Sequence, residues 1–221
     1  MAYTTINKSS DYFNTKLYTG NGSTQSITGV GFQPDWLWIK NRDGTNNHIL
    51  QDAVRGATKS LESDGTGAET TSSTRVTSFD SDGFSIGSAG TNNTNTNNYV
   101  SWNWKANGSG SANTDGSISS TVSANTTAGF SIVKYTGNLT SGANIGHGLG
   151  VKPAMIIIKN LDATESWLCY HTSLGATKHI KLNVTEAAGT ATSRFNDTEP
   201  TTSLFTVGND PQTNGNSNDM I

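Results

Sequence analysis

The side chains able to do chemistry in this sequence are few and scattered. Four histidines, His48, His147, His171 and His179, stand far apart, with none of the HExxH or CxxC spacings that bring metal ligands together. No GxSxG elbow and no phosphate-binding P-loop occurs. Cys169 and His171 lie two residues apart on an expected strand, so they share a face and could form a thiol–imidazole pair. Their counterparts in an internal repeat are Leu50 and Asp52, which marks a strand position open to varied residues. Asp80-Ser81-Asp82-Gly83 begins like a calcium loop but lacks the later carboxylates and closing glutamate. Its counterpart, Thr201-Thr202-Ser203-Leu204, offers no acidic ligand, so a turn between Phe79 and Phe84 is expected instead. Sugar hydrolysis needs two carboxyls about 5–10 Å apart in a cleft. Among 12 Asp and 5 Glu, most in turn-like contexts, no such pair stands out. The expectation is therefore no enzyme, no metal and no cofactor. Arg55 is expected to pair with Asp52 across a turn. Arg75 recurs as Arg194 and is expected to hold the fold.

The elements behind these positions are legible in the composition. The 221 residues contain 33 Thr, 26 Ser, 24 Asn and 24 Gly, 107 in all, against 14% charged residues and a net charge of −3. Such a mixture favours strands and turns. The weak acidity leaves no basic footprint for nucleic acid. The longest apolar run, Ala154 to Ile158, is far short of the roughly twenty residues of a membrane helix. The first residues carry no secretory signal pattern. Five Trp, seven Phe and six Tyr spread over both halves argue against disorder.

An internal repeat organises the chain. At shifts of 117 to 121 residues, Phe13–Asn21 lies over Phe130–Asn138, Ile39-Lys40-Asn41 over Ile158-Lys159-Asn160, Gly56–Lys59 over Gly175–Lys178, and Phe84–Gly87 over Phe205–Gly208. The drift in shift falls in Gly/Asn/Ser-rich stretches, where loops accept insertions. The expected organisation is an N-terminal arm over 1–12, a first domain over 13–106, a linker over 107–123 and a second domain over 124–221. Short alternating runs bounded by Gly, Asn, Asp and Pro predict seven or eight strands in each domain. These include Asp35–Asn41, Ile49–Asp52 and Tyr99–Lys105 in the first, and Ala154–Asn160, Ser193–Phe195 and Leu204–Val207 in the second. The fold class expected is all-β: two tandem antiparallel β-sandwiches of jelly-roll or lectin-like kind, the second lacking most of its last strand. At the final shift Asn97–Val100 falls on Asn218–Ile221, and the alternating run Ser101-Trp102-Asn103-Trp104-Lys105, whose two Trp share a face, has no counterpart. A fragment of a longer protein is the expected reason, with strand donation from another subunit the rarer alternative.

Two surfaces are candidates for binding. The third strand is apolar on both sides, Trp36 and Trp38 on one and Leu37 and Ile39 on the other, where a sandwich strand ordinarily buries one face. The side carrying Trp36 and Trp38 is a candidate interface, its cover being a long loop, the neighbouring domain or another subunit. The run Gly90–Asn98 is a candidate binding loop through Asn92, Asn93, Asn95 and Asn97, with a solvated connection into the last strand as the plainer reading.

The stretches Tyr3–Asn14, Leu17–Arg42, Asp52-Ala-Val-Arg-Gly56 and Tyr99-Val-Ser-Trp-Asn-Trp-Lys105 together resemble a domain repeated in virion structural proteins of tailed, notably marine, bacteriophages. Tyr135-Thr-Gly137 and Lys152–Asn160 extend the resemblance into the second half. It implies a lectin-like sandwich in tail or fibre components, made in the host cytoplasm without a signal peptide and located in the virion. Expected partners are other virion proteins, further copies of the chain and a host surface glycan, with no nucleic acid and no membrane insertion. The arm, with Tyr3, Ile6 and Tyr12 as anchors, is the expected attachment point. A capsid-surface decoration or head-fibre protein, and a carbohydrate-binding or carbohydrate-active module, are the alternatives.

Overall fold

The computed structural model describes residues 6–221. Helix is confined to single turns and the chain is all-β, in several antiparallel sheets, none of which closes into a barrel among the described residues. It forms two compact units, one of residues up to Glu62 with Thr70–Ser109, the other of Ser63–Glu69 with Gly110–Ile221.

In the first unit a 3-10 turn, Ser9–Asp11, leads into β1 (Phe13–Thr19), followed by β2 (Gln25–Thr28), β3 (Trp36–Asn41), β4 (Ile49–Asp52), β5 (Lys59–Glu62), β6 (Thr70–Thr71), β7 (Val76–Asp80), β8 (Gly83–Ile86), a helical turn α1 (Gly90–Asn93) and β9 (Asn98–Trp104). The large sheet runs β1-β9-β3-β4-β5-β6 and the small one β2-β8-β7. Alternation does the positioning: Leu37 and Ile39 of β3, Ile49 of β4 and Tyr99 of β9 meet Ile27, Val76, Phe84 and Ile86 of the small sheet in one buried core. Two sheets sharing one core is a sandwich-like arrangement. Asp80 pairs with Gly83, so Ser81-Asp82 is a two-residue hairpin connection, as the turn reading expected.

The second unit contains β10 (Ser111–Asn113), β11 (Ser120–Asn125), β12 (Phe130–Thr136), β13 (Ala143–Gly146), β14 (Met155–Ile158), β15 (Leu168–His171), β16 (Lys178–Lys181), β17 (Gly189–Thr190), α2 (Thr192–Phe195), β18 (Leu204–Val207), α3 (Pro211–Asn214) and β19 (Asp219–Met220). Its pairings, β12 with β19, β13 with β18, and β14-β15-β16-β17, follow the same order as β1 with β9, β2 with β8, and β3-β4-β5-β6. The core again draws on several sheets, with Tyr135, Ile145, Ile158, Tyr170, Phe205 and Met220 among its members.

Three expectations need correction. Residues 107–123 are not a linker: they carry β10 and the start of β11, which pair in turn onto β12. Two of their three glycines, Gly110 and Gly116, serve close approach. A Cβ on Gly116 would stand 2.4 Å from the Asn144 carbonyl oxygen, and one on Gly110 2.7 Å from that of Val122. Ser193–Phe195 forms a helical turn instead of a strand. The backbone bond it makes is nonetheless the one β7's side makes, Gly208 N–H to the Arg194 carbonyl at 3.0 Å against Gly87 N–H to Arg75 at 2.8 Å. Finally, Tyr12 is not part of a free arm. Its carbonyl accepts the Lys105 N–H at 2.9 Å, extending the β1–β9 ladder. Ile6 is half-buried, and Tyr3 lies outside the described residues.

Candidate functional site

Register builds an aromatic surface on one side of the large sheet. Phe13 and Trp36 both lie opposite Trp104, and Trp38 lies opposite Trp102. Cross-strand partners share a face, so alternation on three adjacent strands gathers five aromatic rings. Ring centroids are 4.4 Å apart for Trp36–Trp104, 4.7 Å for Phe13–Trp104, 5.8 Å for Trp36–Trp38 and 6.1 Å for Trp38–Trp102. Interplanar angles of 54° to 71° make them tilted or edge-to-face, the arrangement the ring quadrupole prefers. The Trp38 indole N–H donates to His48 Nδ1 at 3.0 Å, fixing the ring between Trp36 and Trp102. All four tryptophans are half-buried, while Phe13 and Leu17 beside them are 37% and 62% exposed. Leu37 and Ile39, on the other side of β3, are fully in the core.

Such a surface can pack and adhere but carries no acid or base at its centre. At its edge Asp52, opposite Trp36, is committed to Arg55: the guanidinium Nε and the Arg55 backbone N–H both donate to its carboxylate, and both side chains are buried. The expected Asp52–Arg55 turn is thus present. In the second unit Met155 and Ile157 take the places of Trp36 and Trp38, and Met155 is 47% exposed.

The remaining chemistry-bearing residues are locked into the fold. Cys169 is buried, and that burial pushes its thiol up to about 11, so it stays protonated at neutral pH. His171 Nδ1 accepts the Ser173 backbone N–H at 3.1 Å, holding the turn that Asp52 holds in the first unit. Asp82 accepts the N–H groups of Gly31 at 2.6 Å and Gly29 at 3.0 Å, which lower its pKa. Glu199 is held low by Lys152 and the Tyr170 hydroxyl, each 2.6 Å away, and it also accepts the Ala176 N–H. Burial lowers the pKa of His147 and His179. Arg75 binds Ser60 and Glu62, and Arg194 binds Asp210. No group of three or more metal-ligating side chains occurs among the described residues.

The asparagine loop divides. Asn95 is exposed and Asn97 half-buried, but Asn92 and Asn93 are fully buried and cannot face a ligand, which corrects half of that reading. Asn93 is a latch. Its Nδ2 donates to Asn21 Oδ1, to the Ser23 carbonyl and to the Gly87 carbonyl, and its Oδ1 accepts the Asn21 N–H at 2.8 Å. Asn214 repeats this bond for bond, with Asn138, Thr140 and Gly208 as partners. Beside each latch a tyrosine hydroxyl closes the same turn, Tyr18 onto the Asn92 carbonyl at 2.8 Å and Tyr135 onto that of Thr213 at 2.6 Å. Burial pushes both phenols above their ordinary range.

Of the expected interface, Trp36 and Trp38 come together with Trp102 and Trp104, whose shared face the alternation already indicated. Phe13 and His48 were not singled out. Their place depends on β1 and β4 flanking β9 and β3, a long-range pairing that no local pattern reports.

The fold and surface define an all-β protein with an aromatic face on the large sheet of its first unit. Over residues 8–221 the chain matches the model of a family described as a domain of unknown function, DUF7483, and it belongs to that family. No curated protein and no solved structure matches it.

Proposed function

We propose that the two units are tandem copies of one antiparallel sandwich of jelly-roll or lectin-like kind. The chain is then a structural protein of a tailed-phage virion, tail-associated, that works through packing and adhesion. The equivalent strand orders and the twice-built Asn–Tyr latch support the tandem reading. The aromatic face carries the functional one. Its rings lie at steep angles to one another, so the surface is ridged, and a ridged apolar face suits interdigitation with protein side chains better than flat stacking along a sugar chain.

On this reading the face is an assembly surface between copies or against another virion protein, and Trp36→Ser with Trp38→Ser shifts the sedimenting species toward monomer while both units stay folded. Gold-labelling of a tagged chain in purified particles tests the location. Label on the tail supports the proposal, label at capsid copy number favours a decoration protein, and particles without label end the virion reading. A host surface glycan remains the second reading, favoured by the same half-exposed rings. Glycan-array binding abolished by Trp102→Ala, with oligomeric state unchanged, would establish it instead.

A further inference from the structure

The bond between Trp38 and His48 fixes the state of the imidazole. An indole N–H is a donor only, so His48 Nδ1, which receives it at 3.0 Å, carries a lone pair and no proton. His48 is half-buried and stands just before β4. Its ring meets that of Trp38 edge to face, with centroids 5.9 Å apart. Trp38 in turn packs against Trp36 at 5.8 Å and Trp102 at 6.1 Å. Whatever moves Trp38 therefore disturbs the aromatic face from within.

Charged groups flank His48 on both neighbouring strands. On β3, Ile39 lies opposite Ile49, which sets Lys40 opposite His48. The Lys40 ammonium is held by the carbonyls of Gly44 at 3.0 Å and Asn46 at 2.7 Å. On β5, Glu62 lies opposite Ile49, accepts from Asn47 Nδ2 and pairs with Arg75 at 2.9 Å. A proton on His48 turns Nδ1 into a donor aimed at a donor, and it places a second positive charge beside that of Lys40. In the second unit Ile157 and Trp167 stand at the positions of Trp38 and His48, so the pair belongs to the face of the first unit.

We propose that this face responds to protons: neutral His48 holds Trp38 in place, and protonated His48 releases it, which weakens association through the face. Histidine ordinarily changes charge between about pH 5 and 8, so the face is fixed at the upper end of that range and loosened at the lower. The cause rests on the Trp38–His48 bond, while the consequence for association rests on the assembly reading proposed above.

Indole N–H resonances of the isotope-labelled chain, followed from about pH 8 down to about pH 5, test the cause, and sedimentation velocity at both ends tests the consequence. The Trp38 signal, identified by its loss in Trp38→Phe, should shift along a single histidine titration, and association should weaken roughly tenfold at the acid end. His48→Asn, whose Oδ1 can accept the same N–H but does not titrate, should lose the response. A Trp38 signal that stays fixed in the unsubstituted chain overturns the proposal without recourse to a variant, and so does one that titrates equally in His48→Asn. A titrating signal in an assembly indifferent to pH overturns the control of association. If the signal titrates in a chain that is monomeric at every pH, the assembly reading falls and the proton-responsive bond stands.

Discussion

The two units share what is hidden and differ in what is shown. Asn93 and Asn214 make the same set of bonds to backbone and to a second asparagine, and Tyr18 and Tyr135 close the same turns over Phe84 and Phe205. The sheet faces diverge, Trp36 and Trp38 giving way to Met155 and Ile157. Buried polar groups must be satisfied by partners in fixed geometry, whereas an outward-facing position only has to suit whatever covers it. Divergence therefore collects on the faces, and the latch marks the irreducible part of the unit.

The strongest way to break this comparison is to remove a latch. Asn93→Ala and Asn214→Ala should each destabilise their own unit by about 3 kcal/mol or more, because several buried backbone groups lose their partner at once. Urea denaturation followed by tryptophan fluorescence separates the two, since Trp36, Trp38, Trp102 and Trp104 report the first unit and Trp167 the second. Equal losses in both units from either substitution would contradict the assignment of one latch to each.

A pH titration sharpens the difference. Lys159 is fully buried, its ammonium donating to the Asn160 and Ala163 carbonyls, and burial lowers its pKa to about 8 from 10.5. The unfolded chain then binds the proton more tightly than the folded one. The stability of the second unit should rise from about pH 8, by at most about 1.4 kcal/mol per pH unit. Above the ordinary thiol value of 9.0 the raised pKa of Cys169 acts in the opposite sense, since the unfolded thiol ionises first. Lys159→Met should flatten the rise between pH 8 and 9 in denaturation curves, and a rise that survives this substitution assigns it elsewhere.

The smallest effect concerns a mismatch between the two units. Both amide atoms of buried Asn92 lack a protein partner, while the hydroxyl of its counterpart Thr213 donates to the Arg194 carbonyl at 3.0 Å. Asn92→Thr should stabilise the first unit by about 1 kcal/mol, read as a higher urea midpoint with unchanged slope. A loss of stability would mean that the two turns are not interchangeable.

Much of the fold was legible beforehand where the chain alternates. Leu204–Val207 falls on its expected bounds because a strand with one buried face writes its period into the residue order, and Ile49–Asp52 falls on its own although all four of its residues are buried. β10 and β11 escaped because Ser, Thr, Asn and Gly form strands and linkers alike. The turns α1, α2 and α3 escaped because four residues are too few to show a helical period. At the candidate surface, alternation put Trp36 beside Trp38 and Trp102 beside Trp104. Joining the two pairs required β3 to lie next to β9, some sixty residues away.

Local pattern alone determined the alternating strands and the Ser81-Asp82 turn, since these follow from backbone sterics and side-chain alternation within a few residues. Only the tertiary structure decided which asparagines of the Gly90–Asn98 run are structural. Asn93 and Asn95 are the same residue in the same low-complexity stretch, yet one is buried and the other exposed. What separates them is a set of acceptors and a donor about seventy residues earlier in the chain, at Asn21 and Ser23, which reach Asn93 only when the sheets have formed.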